Sequence, residues 1–312
     1  MSDDIEPSEP ADAGPVRRTL NHFAQGLAMG SADVVPGVSG GTVALVVGIY
    51  ERLIHSVRAG ASGIFHAVRL DIAGARRRFG EVEWGLVLPL GAGILIALYI
   101  GSRFVPHLLE TYPVQVRALF FGLILGSLII PLRRMRHIGG TELAIMAAAA
   151  VAAFFLVGLP PREIADPSLL IVFPFAAIAI CAMILPGISG AFLLLVLGIY
   201  EPTLEALSGF NLPYIAVFVA GAAVGLGLFS KVLEWLLEHH HEWTMAALVG
   251  LMVGSLRALW PWLAEDRGIL GPPDANSLAV AGGLGFLGAV IVLAAAWATR
   301  HHVDRDAPPR RA

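Results

Sequence analysis

The chain has 312 residues, 56% hydrophobic and only 14% charged, against roughly 25% charged in a soluble globular protein. Its 35 glycines and 20 prolines fall among long apolar blocks rather than in repeats of three or heptad stripes, which excludes disorder, collagen and coiled coil and makes the bilayer the natural solvent. With 21 basic and 24 acidic residues the net charge is −3, no basic excess points to nucleic acid, and the single Cys181 excludes an intrachain disulfide.

In chain order, residues 1–18 carry five acids before the first basic residue, the reverse of a secretory signal, and read as a disordered cytoplasmic tail. Residues 19–54 form the first of two unusual segments. Positions 19–32 are uncharged but would reach only about 21 Å as a helix, and after Asp33 the chain is broken by Pro36-Gly37 before a second short apolar arm. Residues 55–83, with Arg76-Arg77-Arg78, read as a cytoplasmic insertion lying in solvent or among headgroups. Apolar spans follow at 84–101, 114–132 and 143–159.

The second unusual segment is 168–207. Its first 33 positions are uncharged, and one helix of that length would measure about 50 Å, too long for a single crossing. Pro186-Gly187 breaks it. Spans at 212–236, 243–263 and 278–299 complete a set of six, and residues 301–312 read as a second cytoplasmic tail. If both broken segments are re-entrant hairpins, fifteen arginines fall in inner loops and tails. Five remain outside: Arg103, Arg117, Arg162, Arg257 and Arg267. This is the positive-inside pattern, and it places both termini in the cytoplasm.

A shift of 150 positions lays VPGVSGGTVALVVGIYE, from Val35, on LPGISGAFLLLVLGIYE, from Leu185, with ten of seventeen positions identical. Shared apolar bias does not produce the matches of Pro36 with Pro186, Ser39 with Ser189, Tyr50 with Tyr200 and Glu51 with Glu201. Further on, GLILGSL from Gly122 matches GLMVGSL from Gly250 in the same order. The expected fold is therefore an all-α polytopic membrane protein of two repeats, 19–160 and 161–300, each a broken-helix hairpin plus three transmembrane helices. Three crossings is an odd number, so the second repeat enters from the opposite face and the repeats are inverted, the pattern of secondary transporters with a midplane site.

Each Pro-Gly tip leads into a small-residue helix start, Ser39-Gly40-Gly41-Thr42 or Ser189-Gly190-Ala191. Free first-turn amides and the positive end of the helix dipole suit an oxyanion such as phosphate, and glycine permits close approach. The plainer reading is that the serines only cap their own helices and the glycines only permit close packing. Asp33, whose repeat partner is Met183, is an intramembrane carboxylate that either carries a coupling proton or caps the hairpin turn. Arg117 and Arg257 either counter a phosphate or snorkel to the outer interface. Tyr50-Glu51 and Tyr200-Glu201 end the second arms, as mouth or packing residues. His239-His240-His241 reads as a solvated loop, and neither a metal site, nor a cofactor, nor a catalytic motif is expected.

At MGSADVVPGVSGGTVALVVGIYERLI, from Met29, and LPGISGAFLLLVLGIYE, from Leu185, the sequence resembles the PopT-type polyprenyl-phosphate transporters, over nearly the whole chain. The resemblance implies a non-enzymatic flippase of the bacterial cytoplasmic membrane that returns undecaprenyl phosphate to the inner leaflet for cell-wall and surface-polymer synthesis. The PGxS tip is also similar to a motif of membrane undecaprenyl-diphosphate phosphatases. Those enzymes continue it with an arginine and add a glutamate-rich motif, whereas here Gly40 and Gly190 follow the serines. An inorganic-anion transporter or channel is the third alternative. Oligomeric state is not legible in the sequence.

Overall fold

A computed structural model describes residues 14–33, 39–264 and 266–305. Among these, every regular element is a helix, apart from one isolated bridge between Leu263 and Ile269. The first half contains α1 (Pro15–Asp33), α2 (Gly40–Val46), α3 (Tyr50–Val68), α4 (Ile72–Gly80), α5 (Trp84–Thr111), α6 (Pro113–Ser127), α7 (Ile129–Arg134) and α8 (Gly140–Leu156). The second contains α9 (Leu169–Ile184), α10 (Gly190–Leu197), α11 (Tyr200–Ser208), α12 (Leu212–His239), α13 (His241–Ser255), a 3-10 turn (Leu256–Leu259) and α14 (Ala275–Arg305).

Helix starts follow local chemistry. Pro113 opens α6, where a missing N–H costs nothing. Asn211 caps α12, its Oδ1 accepting from the Tyr214 amide at 3.3 Å. Among the described residues five helices are long and apolar enough to cross a membrane: Trp84–Gly101, Pro113–Arg134, Leu212–His239, His241–Leu259 and Ala275–Ala294. These correspond to five of the six expected spans. The sixth, 143–159, is α8, an apolar helix of 17 residues and about 25 Å. Large apolar side chains such as Leu95, Phe104, Leu170 and Phe286 stand exposed around the bundle, a surface suited to lipid rather than water.

The helices pair in a regular way: α1 packs on α5 and α9 on α12, while α6 packs on α14 and α8 on α13. In other words, the second span of each half lies against the third span of the other. The repeated GLILGSL and GLMVGSL motifs explain those crossings. Gly122 and Gly126 face the backbone of Gly285 and Ala289 in α14, and Gly250 and Gly254 face Met146 and Ala150 in α8, with no room for a Cβ. Backbones approach closely where small residues allow it, which is how helices associate when lipid removes the hydrophobic drive between them. The main core joins both halves, with Leu45, Ile49, Tyr50, Ile54, Leu86 and Leu90 against Leu233, Met245 and Leu248.

One expectation about the broken segments needs correction. Beyond the Pro-Gly break, each segment breaks again, at Gly48-Ile49 and Gly198-Ile199. Gly48 and Gly198 take φ of +79° and +82°, left-handed values that favour glycine and end a helix. α10 and α11 consequently meet at a bend of 106°. Tyr50-Glu51 and Tyr200-Glu201 thus open α3 and α11 rather than closing the arms. The expected boundary between hairpin and insertion at 54/55 falls inside α3, which Glu234 of α12 holds by accepting from Arg58 and by pairing with His55 at 2.8 Å. Pro36 and Gly37 lie outside the described residues.

Candidate functional site

The start of α2 is already furnished with acceptors. Ser39, in extended conformation, caps the helix, its Oγ accepting from the Gly41 amide at 3.1 Å. The Asp33 carboxylate accepts from the Gly40 amide at 2.6 Å, placing a negative group at the positive end of the helix. A Cβ on Gly40 would press into that carboxylate, so the glycine is what lets Asp33 come so close. In the other half the equivalent pair repeats the packing without the charge: Gly190 lies against Met183. Ser189 caps α10 by accepting from the Phe192 amide at 3.4 Å.

The two broken segments interlock. α9 ends with orphaned carbonyls, and the first segment satisfies them. The Ser39 hydroxyl lies 3.1 Å from the Leu185 carbonyl and 3.4 Å from that of Met183, with one proton to donate, and the Tyr50 hydroxyl donates to the Ile184 carbonyl at 3.2 Å. In the reverse direction the Gly187 amide donates to Thr42 Oγ1 at 3.0 Å. Gly187 has φ of +88° and its α-carbon abuts Met252 and Ser255 of α13. Ser39, Gly40, Gly41, Thr42, Pro186, Gly187, Ser189 and Gly190 are all buried in this junction, Asp33 is half-buried and Ala191 is exposed.

The remaining candidates lie elsewhere. Tyr50 is core, Glu51 is an exposed partner of Arg134 at 3.1 Å, and Tyr200 and Glu201 line a cavity of about 190 Å³ with Arg162 and Glu163. His240 stacks on Trp243 with ring centroids 5.0 Å apart. Arg257, on the 3-10 turn, donates to the Phe154 carbonyl at 3.1 Å and to the Arg267 carbonyl at 3.4 Å. Arg267, which sequence analysis placed outside without assigning it a role, lies with its guanidinium 4.4 Å above the Phe192 ring, in the first turn of α10. Burial, then the charges of Arg117 and Arg257, hold its pKa below the usual guanidinium range. An arginine placed outside against the positive-inside bias was the signal that could have found it. Arg117, on α6, makes no hydrogen bond or ion pair among the described residues.

A family model described as VCA0040-like, undecaprenyl phosphate translocase-like, matches residues 29–270. The chain is 39% identical over 251 residues to a protein named polyprenyl-phosphate transporter from Vibrio cholerae serotype O1, covering 80% of each chain. It is 32% identical over 262 residues to one of the same name from Staphylococcus aureus, covering 78% of this chain and 87% of that one. No solved structure matches significantly. The matched stretch runs from the last turns of α1 through both interlocked segments to the loop carrying Arg267, and by that coverage the chain belongs to the undecaprenyl phosphate translocase-like family.

Proposed function

We propose that the protein is a flippase for polyprenyl phosphate, undecaprenyl phosphate in the wording of its family, working in a bacterial cytoplasmic membrane with both termini inside. The two halves act as inverted repeats, each a re-entrant hairpin with three transmembrane helices. They rock about a phosphate held between the hairpin tips by Ser39, Ser189 and the following amides, while the isoprenoid tail stays in lipid. The observation that carries the reading is the interlock of two copies of one motif, with Ser39 on the Leu185 carbonyl and the Gly187 amide on Thr42. Broken backbone at membrane depth is tolerated only where protein or a polar cavity surrounds it, and paired breaks at a repeat interface are where transporters bind substrate.

Asp33 supplies a coupling device in this scheme. Its carboxylate occupies the Gly40 amide, where a phosphate oxygen would otherwise be received. A phosphate reaching the first tip must displace it, and proton uptake by Asp33 removes the competing charge. Transport and hydrolysis separate in one experiment: purified protein in liposomes with labelled polyprenyl phosphate or diphosphate, following leaflet distribution and phosphate release together. The proposal expects movement of the monophosphate without release. Release from the diphosphate, with no movement of the monophosphate, would replace a transporter with a phosphatase.

A further inference from the structure

Three of the five arginines expected outside, Arg117, Arg257 and Arg267, converge beside α10. Arg117 and Phe121 are four residues apart on one face of α6, and Phe121 meets Trp260 edge-on with ring centroids 6.0 Å apart. Trp260 in turn packs on Trp262 at 5.8 Å and donates to the Leu270 carbonyl at 2.8 Å, closing the loop that carries Arg267. Arg257 ties this loop to α8 through the carbonyls of Phe154 and Arg267 and lies 4.6 Å above the Phe154 ring. Gly158 leaves its guanidinium just enough room.

The donors of this cluster outnumber their acceptors. Nε of Arg257, Nε of Arg267 and Nε1 of Trp262 are buried and bond to nothing among the described residues. Among the described residues none of the three arginines forms an ion pair, and Asp266 accepts from the Gly268 amide at 2.9 Å. Buried donors are rarely left unmade. Arg267 is also held at φ of +65°, a backbone state uncommon for a side chain of this size. Three positive charges, buried donors without a partner among the described residues, and flanking aromatic rings make a cluster suited to an anion.

We propose that Arg117, Arg257 and Arg267, with the Trp262 indole, form an outward-facing receptor for a phosphate monoester, separate from the interlocked tips. Guanidinium forks match a tetrahedral dianion, which accepts several charge-assisted hydrogen bonds at once. The rings of Phe154, Trp260 and Trp262 leave an apolar border on which the first carbons of a prenyl chain can lie. Only the outward direction rests on the transport reading; the receptor itself does not.

The test uses the full chain in nanodiscs of zwitterionic lipid, titrated calorimetrically with farnesyl phosphate, inorganic phosphate and farnesol. Saturable binding of farnesyl phosphate is expected, weakened at least about tenfold by Arg267→Gln and by Arg117→Gln, with Arg267→Lys recovering only part because it restores charge without the fork. Arg117→Gln has no described hydrogen bond to lose, so it reports on binding even if Arg267→Gln disturbs the loop. Inorganic phosphate binding as tightly as farnesyl phosphate assigns the receptor to the free anion; binding of farnesyl phosphate alone assigns it to the lipid headgroup. Wild-type affinity in both glutamine variants overturns the proposal, as does farnesol binding equal to that of farnesyl phosphate. If liposomes show no transport while the arginine variants still lose binding, the receptor stands and the transport reading falls.

Discussion

Ser39 bears two tasks with one hydroxyl, accepting from its own helix and donating to the end of α9. Ser39→Ala should therefore cost more than an ordinary cap, about 2 kcal/mol from the lost cap and the unsatisfied carbonyl together, seen as a lower melting temperature in detergent. Ser189→Ala, which removes only a cap bond at 3.4 Å, should cost about 1 kcal/mol or less. The unequal pair separates an interlock from two independent caps, which would lose equal amounts. Asp33→Asn keeps an acceptor for the Gly40 amide while removing the charge. Lower pH should speed wild-type transport by neutralising Asp33, whereas the asparagine variant should be fast and flat across pH. A variant that keeps the wild-type pH profile would remove Asp33 from coupling.

At the scale of elements, the apolar blocks and the Pro186-Gly187 break were legible because length and charge alone decide whether a segment can span. The second breaks were not. Gly48 and Gly198 sit in apolar runs where glycine serves helix packing as readily as a left-handed turn, and the repeated Gly-Ile-Tyr-Glu read as an ending when it is a restart. The repeated Gly-Ser motifs were legible as a duplication, but their partners were not, since nothing local links Gly122 with Gly285 or Gly250 with Met146. The asymmetry of Asp33 with Met183 could be read from the repeat, while the bond from Asp33 to Gly40 joins the ends of two separate helices, which no local pattern brings together. Arg267 was marked only by its expected place outside, because a loop arginine has no periodicity to betray its direction. Two substitutions test the element scale. Gly187→Ala forces a side chain into a left-handed position against α13 and should destabilise by about 1–3 kcal/mol. Gly254→Val should prise α13 from α8 at a similar cost of about 1–3 kcal/mol, read as a lower melting temperature for each. A wild-type melting temperature in either would contradict the close approach described.

On the scale of the molecule, the helices do not divide into two separate halves. α6 lies on α14 and α8 on α13, so a relative motion of the repeats has to carry pairs drawn from both. The two broken segments meet where those pairs converge, with Gly187 against the end of α13. A ligand wedged between the tips would therefore act on the whole bundle, and a bond such as Ser39 to Leu185 has to break for the tips to part. The arginine receptor lies beside α10, three residues past Ser189 at Phe192, so an anion captured there has a short path to the second tip. The measurement that tests the central claim most directly is the leaflet distribution of labelled polyprenyl phosphate in liposomes holding wild-type protein or the Ser39→Ala/Ser189→Ala double variant. Rapid redistribution by the wild type and its loss in the double variant, with both proteins folded, is the predicted result. Equal redistribution by the two would contradict a phosphate site at the interlocked tips.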